Sequence, residues 1–224
     1  MVEASKFTWV QTHKEIVQYL KNMKDRQPDL ISELEKAGVD NFTDRDVSGE
    51  TFKLNEMEPF TFFFYIYKYG EHKRLQVLQN LAKNLGLTIP GDTDGVPSAN
   101  AISVRIFPQK DIRTHDEVNR LWVLFHKTIT HSITDVDFQD ALNIVSVGKA
   151  KLTEAFFMVD PEYYLCIDGQ TRPYLKEVLR IDPKFNTYSE YIAILHKVKE
   201  KTDMPFPELS FAAWIWNTKQ NQTN

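Results

Sequence analysis

Gly148, Lys149 and Lys151 stand in Ile144-Val145-Ser146-Val147-Gly148-Lys149-Ala150-Lys151, the stretch of the chain whose residue types and spacing best suit chemistry. An apolar segment, a small-residue turn and a second apolar segment would aim backbone N–H groups at a phosphate, and the two lysines would add charge. Arg172 and Lys176 follow nearby in sequence and extend this candidate DNA-binding patch. Lys73 and Arg74, on the polar face of their own helical segment, are the second choice. An ordinary helix–helix corner with solvated lysines fits the same residues.

Other chemistries fit less well. Gly148-Lys149 lacks the upstream glycine and the following Ser or Thr of a nucleotide-binding P-loop. His126 and His131 are five apart and diverge around a helix, so no metal site is expected. Asp92-x-Asp94-Gly95 opens like a calcium loop, but its closing position is Ser103, which cannot chelate. Pro28-Asp29 with Glu71-His72-Lys73 supplies the letters of a metal nuclease, yet the second group opens a helix, where residues two apart face different ways. Cys166 has no evident base partner beside it. No catalytic residue and no cofactor is expected. Of the aromatics that could stack on a base, Trp122 falls at core spacing, whereas Tyr67, Tyr69 and Trp216 are less constrained by pattern.

The elements that would position these residues read as mainly α, with a few short strands. Pro59-Phe60-Thr61-Phe62-Phe63-Phe64-Tyr65-Ile66-Tyr67 is too aromatic to stay in water, so the rest of the chain must pack around it. Capping boxes are expected at Thr12-x-x-Glu15, Thr114-x-x-Glu117 and Thr187-x-x-Glu190. Helices are expected over 72–85, 118–129, 138–145, 152–159, 172–179 and 207–216. Short strands are expected at 51–54 and 101–107, with a strand or extended segment at 163–167. Residues 39–50 read as an exposed polar loop. The domains divide as an N-terminal helical segment and acidic loop (1–50), a main α-rich domain packed with it (51–217) and a polar, frayed tail (218–224).

Charge bounds the partners. Residues 1–60 hold 8 Lys+Arg against 12 Asp+Glu, while residues 61–224 hold 19 of each. No basic excess covers the surface, so any nucleic-acid contact must come from a local patch. Charged residues interrupt the first 23 positions, and no run of about 18 apolar residues exists, so neither a signal peptide nor a membrane span is expected. The single cysteine suits a cytoplasmic protein.

Several short motifs also stand in a telling order. They are Pro59-Phe60-Thr61-Phe62-Phe63, His72-Lys73-Arg74-Leu75 with Val77-Leu78, and Asp94-Gly95-Val96-Pro97 with Asn100. Leu121-Trp122-x-x-Phe125 and Lys151-Leu152-Thr153 with Phe156-Phe157 come next. Pro161, Asp168, Arg172 and Tyr174-Leu175 follow, before Phe206-Pro207-Glu208-Leu209-Ser210 with Trp214. Residues 56–216 thereby resemble the N-terminal region of McrB-like AAA+ proteins of type IV, modification-dependent restriction systems. The turn at 144–151, followed by Asp168, also resembles the helix-hairpin-helix of DNA glycosylases, with Ser146 where the first turn glycine would stand and no evident catalytic lysine. The McrB-like pattern usually has Asp at Glu58, often Gly at Phe64, and Trp-Phe at Val104-Arg105.

The resemblance implies a recognition role. In such systems the AAA+ motor hydrolyses nucleotide, a partner subunit supplies the nuclease, and the N-terminal region senses DNA or another phage-derived signal. The motor's motifs are absent from this chain, which implies an excised fragment or a stand-alone relative. The expectation is therefore a non-enzymatic DNA-binding domain in anti-phage defence, extending to a modified cytosine, with the motor and nuclease as partners. The alternatives are a protein-interaction module and a glycosylase-like enzyme, the latter requiring Asp168 in an open cleft.

Overall fold

The structure, a computed structural model, describes residues 6–223. Trp9–Leu20 forms α1, whose buried Trp9, Thr12, His13, Ile16, Val17 and Leu20 share one face at helical spacing. The helix starts before Thr12, so the capping box expected there does not form. Instead Thr12 Oγ1 donates to the Thr88 carbonyl at 2.8 Å, and Glu15 Oε2 accepts from the Thr88 N–H at 2.6 Å. A pattern that looks local in sequence serves a contact across the fold.

Gln27–Lys36 forms α2, and the chain leaves it through Gly38 at φ 95°, a conformation that glycine adopts without strain. Within the expected loop at 39–50, Thr43–Arg45 forms β1, which pairs antiparallel with β2, Thr51–Lys53. The aromatic run becomes α3, Pro59–Tyr67, with all nine residues buried. Glu58 caps it, accepting from the N–H groups of Phe60 (2.6 Å) and Thr61 (2.9 Å). Then come α4 (Glu71–Leu85), α5 (Glu117–Ile129), α6 (Asp135–Leu142), α7 (Lys149–Val159), α8 (Thr171–Glu177), α9 (Tyr188–Lys201) and α10 (Phe206–Thr223).

A helix that is apolar all round must lie at the centre of a fold. Accordingly α2, α4, α5 and α7 all pack on α3, while α1 packs on α7 and α8 on α10. The architecture is mainly α with one two-stranded sheet among the described residues, as the sequence predicts. No described helix is long and apolar enough to cross a membrane.

Several local expectations fail for physical reasons. Residues 101–107 form no strand, because no neighbouring strand offers a ladder; the Ile106 N–H donates to Thr61 Oγ1 at 3.1 Å instead. Residues 163–167 likewise bond to side chains. The Tyr191 hydroxyl serves both the N–H and the carbonyl of Leu165, and Thr153 Oγ1 accepts from the Ile167 N–H. Thr114 precedes α5 by too many residues to cap it, whereas the box at Thr187-x-x-Glu190 forms and another forms at Thr134-x-x-Asp137. Helix α10 continues past Trp216 to Thr223, through most of the expected tail.

Candidate nucleic-acid interface

Lys149, Arg172, Lys176, Arg180 and Lys184 line one groove of about 840 Å³, in which Asp182 is the only carboxylate among the described lining residues. Arg172 and Lys176 are one helical turn apart on α8 and share a face. Asp168 fixes the start of that helix, its Oδ1 accepting from the N–H groups of Gln170 and Thr171, both at 2.9 Å. The chain leaves α8 through Arg180 at φ 57° and returns along 182–186, where Asp182 Oδ1 accepts from the Lys184 N–H at 3.2 Å. Lys149 Nζ donates to the Phe185 carbonyl (2.6 Å) and to Asn186 Oδ1 (2.7 Å), fastening this return to the start of α7.

The groove keeps most of its positive charge. Lys176 and Arg180 approach Glu177 only at 3.9 and 4.0 Å, between side chains that are all mostly exposed, so these pairs neutralise little. Arg172 and Lys184 have no ion-pair partner among the described residues. Gly148 is the N-cap of α7, with no side-chain cap on its first turn. Ser146 takes φ 73° in the turn before it, the conformation a glycine would hold without strain.

Three of the predicted residues therefore meet, Lys149, Arg172 and Lys176, with Gly148 adjoining. Lys151 does not join them. Two residues on from Lys149 it is rotated by about 200° around the helix, and its ammonium donates to Ser103 Oγ at 2.8 Å and to the Arg105 carbonyl. Burial lowers its pKa, while Glu154 and Glu58 draw it back up. It is a packing lysine in place of the expected phosphate contact. Lys73 is exposed on α4 with Nζ 4.4 Å from the Tyr69 ring centre, and Arg74 lines a separate cavity with Asp168. Of the aromatics proposed to stack on a base, Tyr67 is buried and Tyr69 donates its hydroxyl to Asp40 Oδ1 at 2.8 Å. Trp216 meets Tyr174 edge-on at 6.0 Å.

Arg180 and Lys184 were not expected in the patch, although a basic residue at every fourth position from 172 to 184 is a readable signal. Behind α7 lies an ionisable cluster that the sequence did not announce. Burial pushes Glu58 up to about 7, against the N–H groups of Thr61 and Phe60 and the Lys151 charge. Burial, with Asp168 adding to it, pushes Glu154 up to about 8 against Lys151. A carboxyl raised in the folded state adds stability that is complete below its unfolded value and is lost as pH rises through the folded one. Between pH 7 and pH 8 the wild type is therefore expected to lose about 1 kcal/mol that Glu154→Gln does not lose. Urea denaturation at both pH values measures this, and parallel losses in the two proteins would refute it.

None of the positions that depart from the McrB-like pattern (Glu58, Phe64, Val104 and Arg105) lines the groove or the Arg74 cavity. Glu58 caps α3, Phe64 is buried in it, and Arg105 pairs with Asp44. Residues 9–216 match the family described as Domain of unknown function (DUF8425). The chain belongs to DUF8425. No curated protein and no solved structure matches it. The DUF8425 match runs from the start of α1 into α10, so both the groove and the cavity lie inside the family's extent. Among the described residues, no three His, Cys, Asp or Glu side chains gather into a group that could hold a metal ion.

Proposed function

We propose that this chain is a cytoplasmic, non-enzymatic recognition domain that binds DNA through phosphate contacts along the groove between α8 and the start of α7. The observation that carries the reading is the convergence of five cationic side chains on one groove of a protein whose net charge is −4. A duplex meeting such a surface would be held locally, the only mode the overall charge allows. The resemblance to McrB-like N-terminal regions supports placing the domain in anti-phage restriction, delivering DNA, including DNA with modified cytosine, to an AAA+ motor and its nuclease partner.

The test is fluorescence anisotropy with labelled duplexes, unmodified and cytosine-modified. Four phosphate contacts predict binding on the order of a hundredfold weaker at about 200 mM salt than at about 50 mM. The R172E/K176E/K184E variant changes three exposed side chains, so its melting temperature should hold while its DNA binding disappears. A folded variant that binds as the wild type does would overturn the reading. So would a wild type that binds no duplex at low salt, which would favour the protein-interaction role.

A further inference from the structure

Arg74 stands in a different cavity, of about 410 Å³, walled by α4, the 93–100 loop, Phe157 of α7, the 168–171 turn and α10. Its guanidinium is partly buried, and Nε is fully buried with no hydrogen-bond partner. Nη2 reaches the Val96 carbonyl only at 3.4 Å, and no carboxylate lies within ion-pair distance among the described residues. A buried donor left open costs about 1–3 kcal/mol, so Arg74 is a cation poorly compensated by the protein around it. Across the cavity, Trp214 is 49% exposed and stacks in parallel on Phe211, with ring centres 5.9 Å apart.

We propose that this cavity binds a small molecule made of a flat ring and one anionic group, the anion seated on Arg74 and the ring against Trp214. The volume suits a ligand of that size. Two carboxylates, Asp168 and Glu71, also line the cavity and oppose an anion, so the seat must be on Arg74 itself. Asp168 spends Oδ1 on two backbone N–H groups, and Glu71 is exposed to water in the first turn of α4. Asn100 and Ser210 add polar groups to the lining.

The wall is held in place before any ligand arrives. Asp92 accepts from the N–H groups of Phe7, Thr8 and Asp94 at 3.0–3.2 Å, and the Trp9 indole N–H donates to the Asp94 carbonyl at 3.0 Å. Gly95 is pressed so closely by Phe7 that an added Cβ would lie 2.6 Å from its ring. Such preorganisation lowers the ordering cost of binding. The motifs around residues 72–75, 94–100, 156–157 and 206–214, far apart in sequence, all contribute to this one lining. The proposal does not depend on the DNA-binding reading, since Arg74 and Trp214 are untouched by the groove variant.

Two sources share the ligand chemistry, an aromatic carboxylate and a free nucleoside monophosphate. Isothermal titration calorimetry with benzoate, indole-3-carboxylate and the nucleoside 5′-monophosphates separates them, with benzyl alcohol and the nucleosides as uncharged controls. One anionic series should bind at least about tenfold more tightly than its uncharged controls, and Arg74→Gln should remove that margin. Trp214→Ala, at an exposed position, should weaken binding by about tenfold with the melting temperature unchanged. The proposal is overturned if no anion binds at millimolar concentration. It is equally overturned if the uncharged controls bind as well as the anions, or if neither variant changes the affinity.

Discussion

Asp44→Ala is expected to cost about 3–5 kcal/mol of folding stability, because it strands the Arg105 guanidinium and takes from Arg113 the more buried of its two carboxylates at the edge of the core. Asp44 is 2% exposed and accepts four hydrogen bonds. Its Oδ1 takes Arg105 Nη1 at 3.0 Å and the N–H groups of Lys110 (3.0 Å) and Arg45 (2.9 Å), while Oδ2 takes Arg113. Without the carboxylate, Arg113 keeps Glu56 at 3.2 Å, and Arg105 keeps no counter-charge within ion-pair distance among the described residues. The same side chain ties β1 to the irregular segment leading to α5, so its loss should also raise amide exchange across residues 104–113. Asp44→Asn preserves the shape and removes the charge, and should cost nearly as much. Urea denaturation decides the matter: a loss below about 1 kcal/mol for Asp44→Ala would show that the pairs only offset their own desolvation.

Asp44 also shows where the sequence stops being readable. It lies in a stretch dense in Asp, Asn and Ser that reads as solvated loop, and nothing local marks it as the one acid of that run to be buried. Its partners come from residues 105–113, so the signal is tertiary. Helices declare themselves through periodicity, which is why α5 was legible, whereas the central position of α3 was legible from its aromatic density alone. The 101–107 segment has strand-like residues but no neighbour to pair with, and alternation alone cannot reveal a missing partner. At the groove, the types and spacing of Lys149, Arg172 and Lys176 sufficed to bring them together in expectation. Lys151 falls outside the groove because residues two apart on a helix point to opposite sides, a separation hidden when 148–151 is read as a turn. The Arg74 cavity was legible only as scattered motifs, since its lining comes from five separate segments.

His13→Ala is expected to destabilise the protein by about 3–4 kcal/mol, and His13 also sets part of its response to acid. The imidazole is fully buried, 4.8 Å from the Trp9 ring and 4.7 Å from that of Phe63. A carbonyl can only accept, so Nδ1–H donates to Met158 at 2.6 Å, and Nε2 must then accept from the Tyr67 hydroxyl. Truncation leaves a hydroxyl and a carbonyl unpaired in the core as well as a cavity. Burial holds the pKa down at about 3 against the Met158 carbonyl, which favours the charged ring. The contribution of a histidine depressed in this way is complete above its unfolded value of about 6.5 and is lost as pH falls toward 3. From about pH 6.5 to pH 5 that amounts to about 2 kcal/mol. Glu58 and Glu154, whose raised values run the other way, gain over the same interval, so the wild-type curve alone mixes opposite slopes. His13→Gln keeps a donor and an acceptor but cannot titrate, and the difference between its stability curve and that of the wild type isolates the histidine. That difference should narrow by about 2 kcal/mol over the interval, and two parallel curves would mean that His13 accepts a proton in the folded state as readily as in the unfolded one.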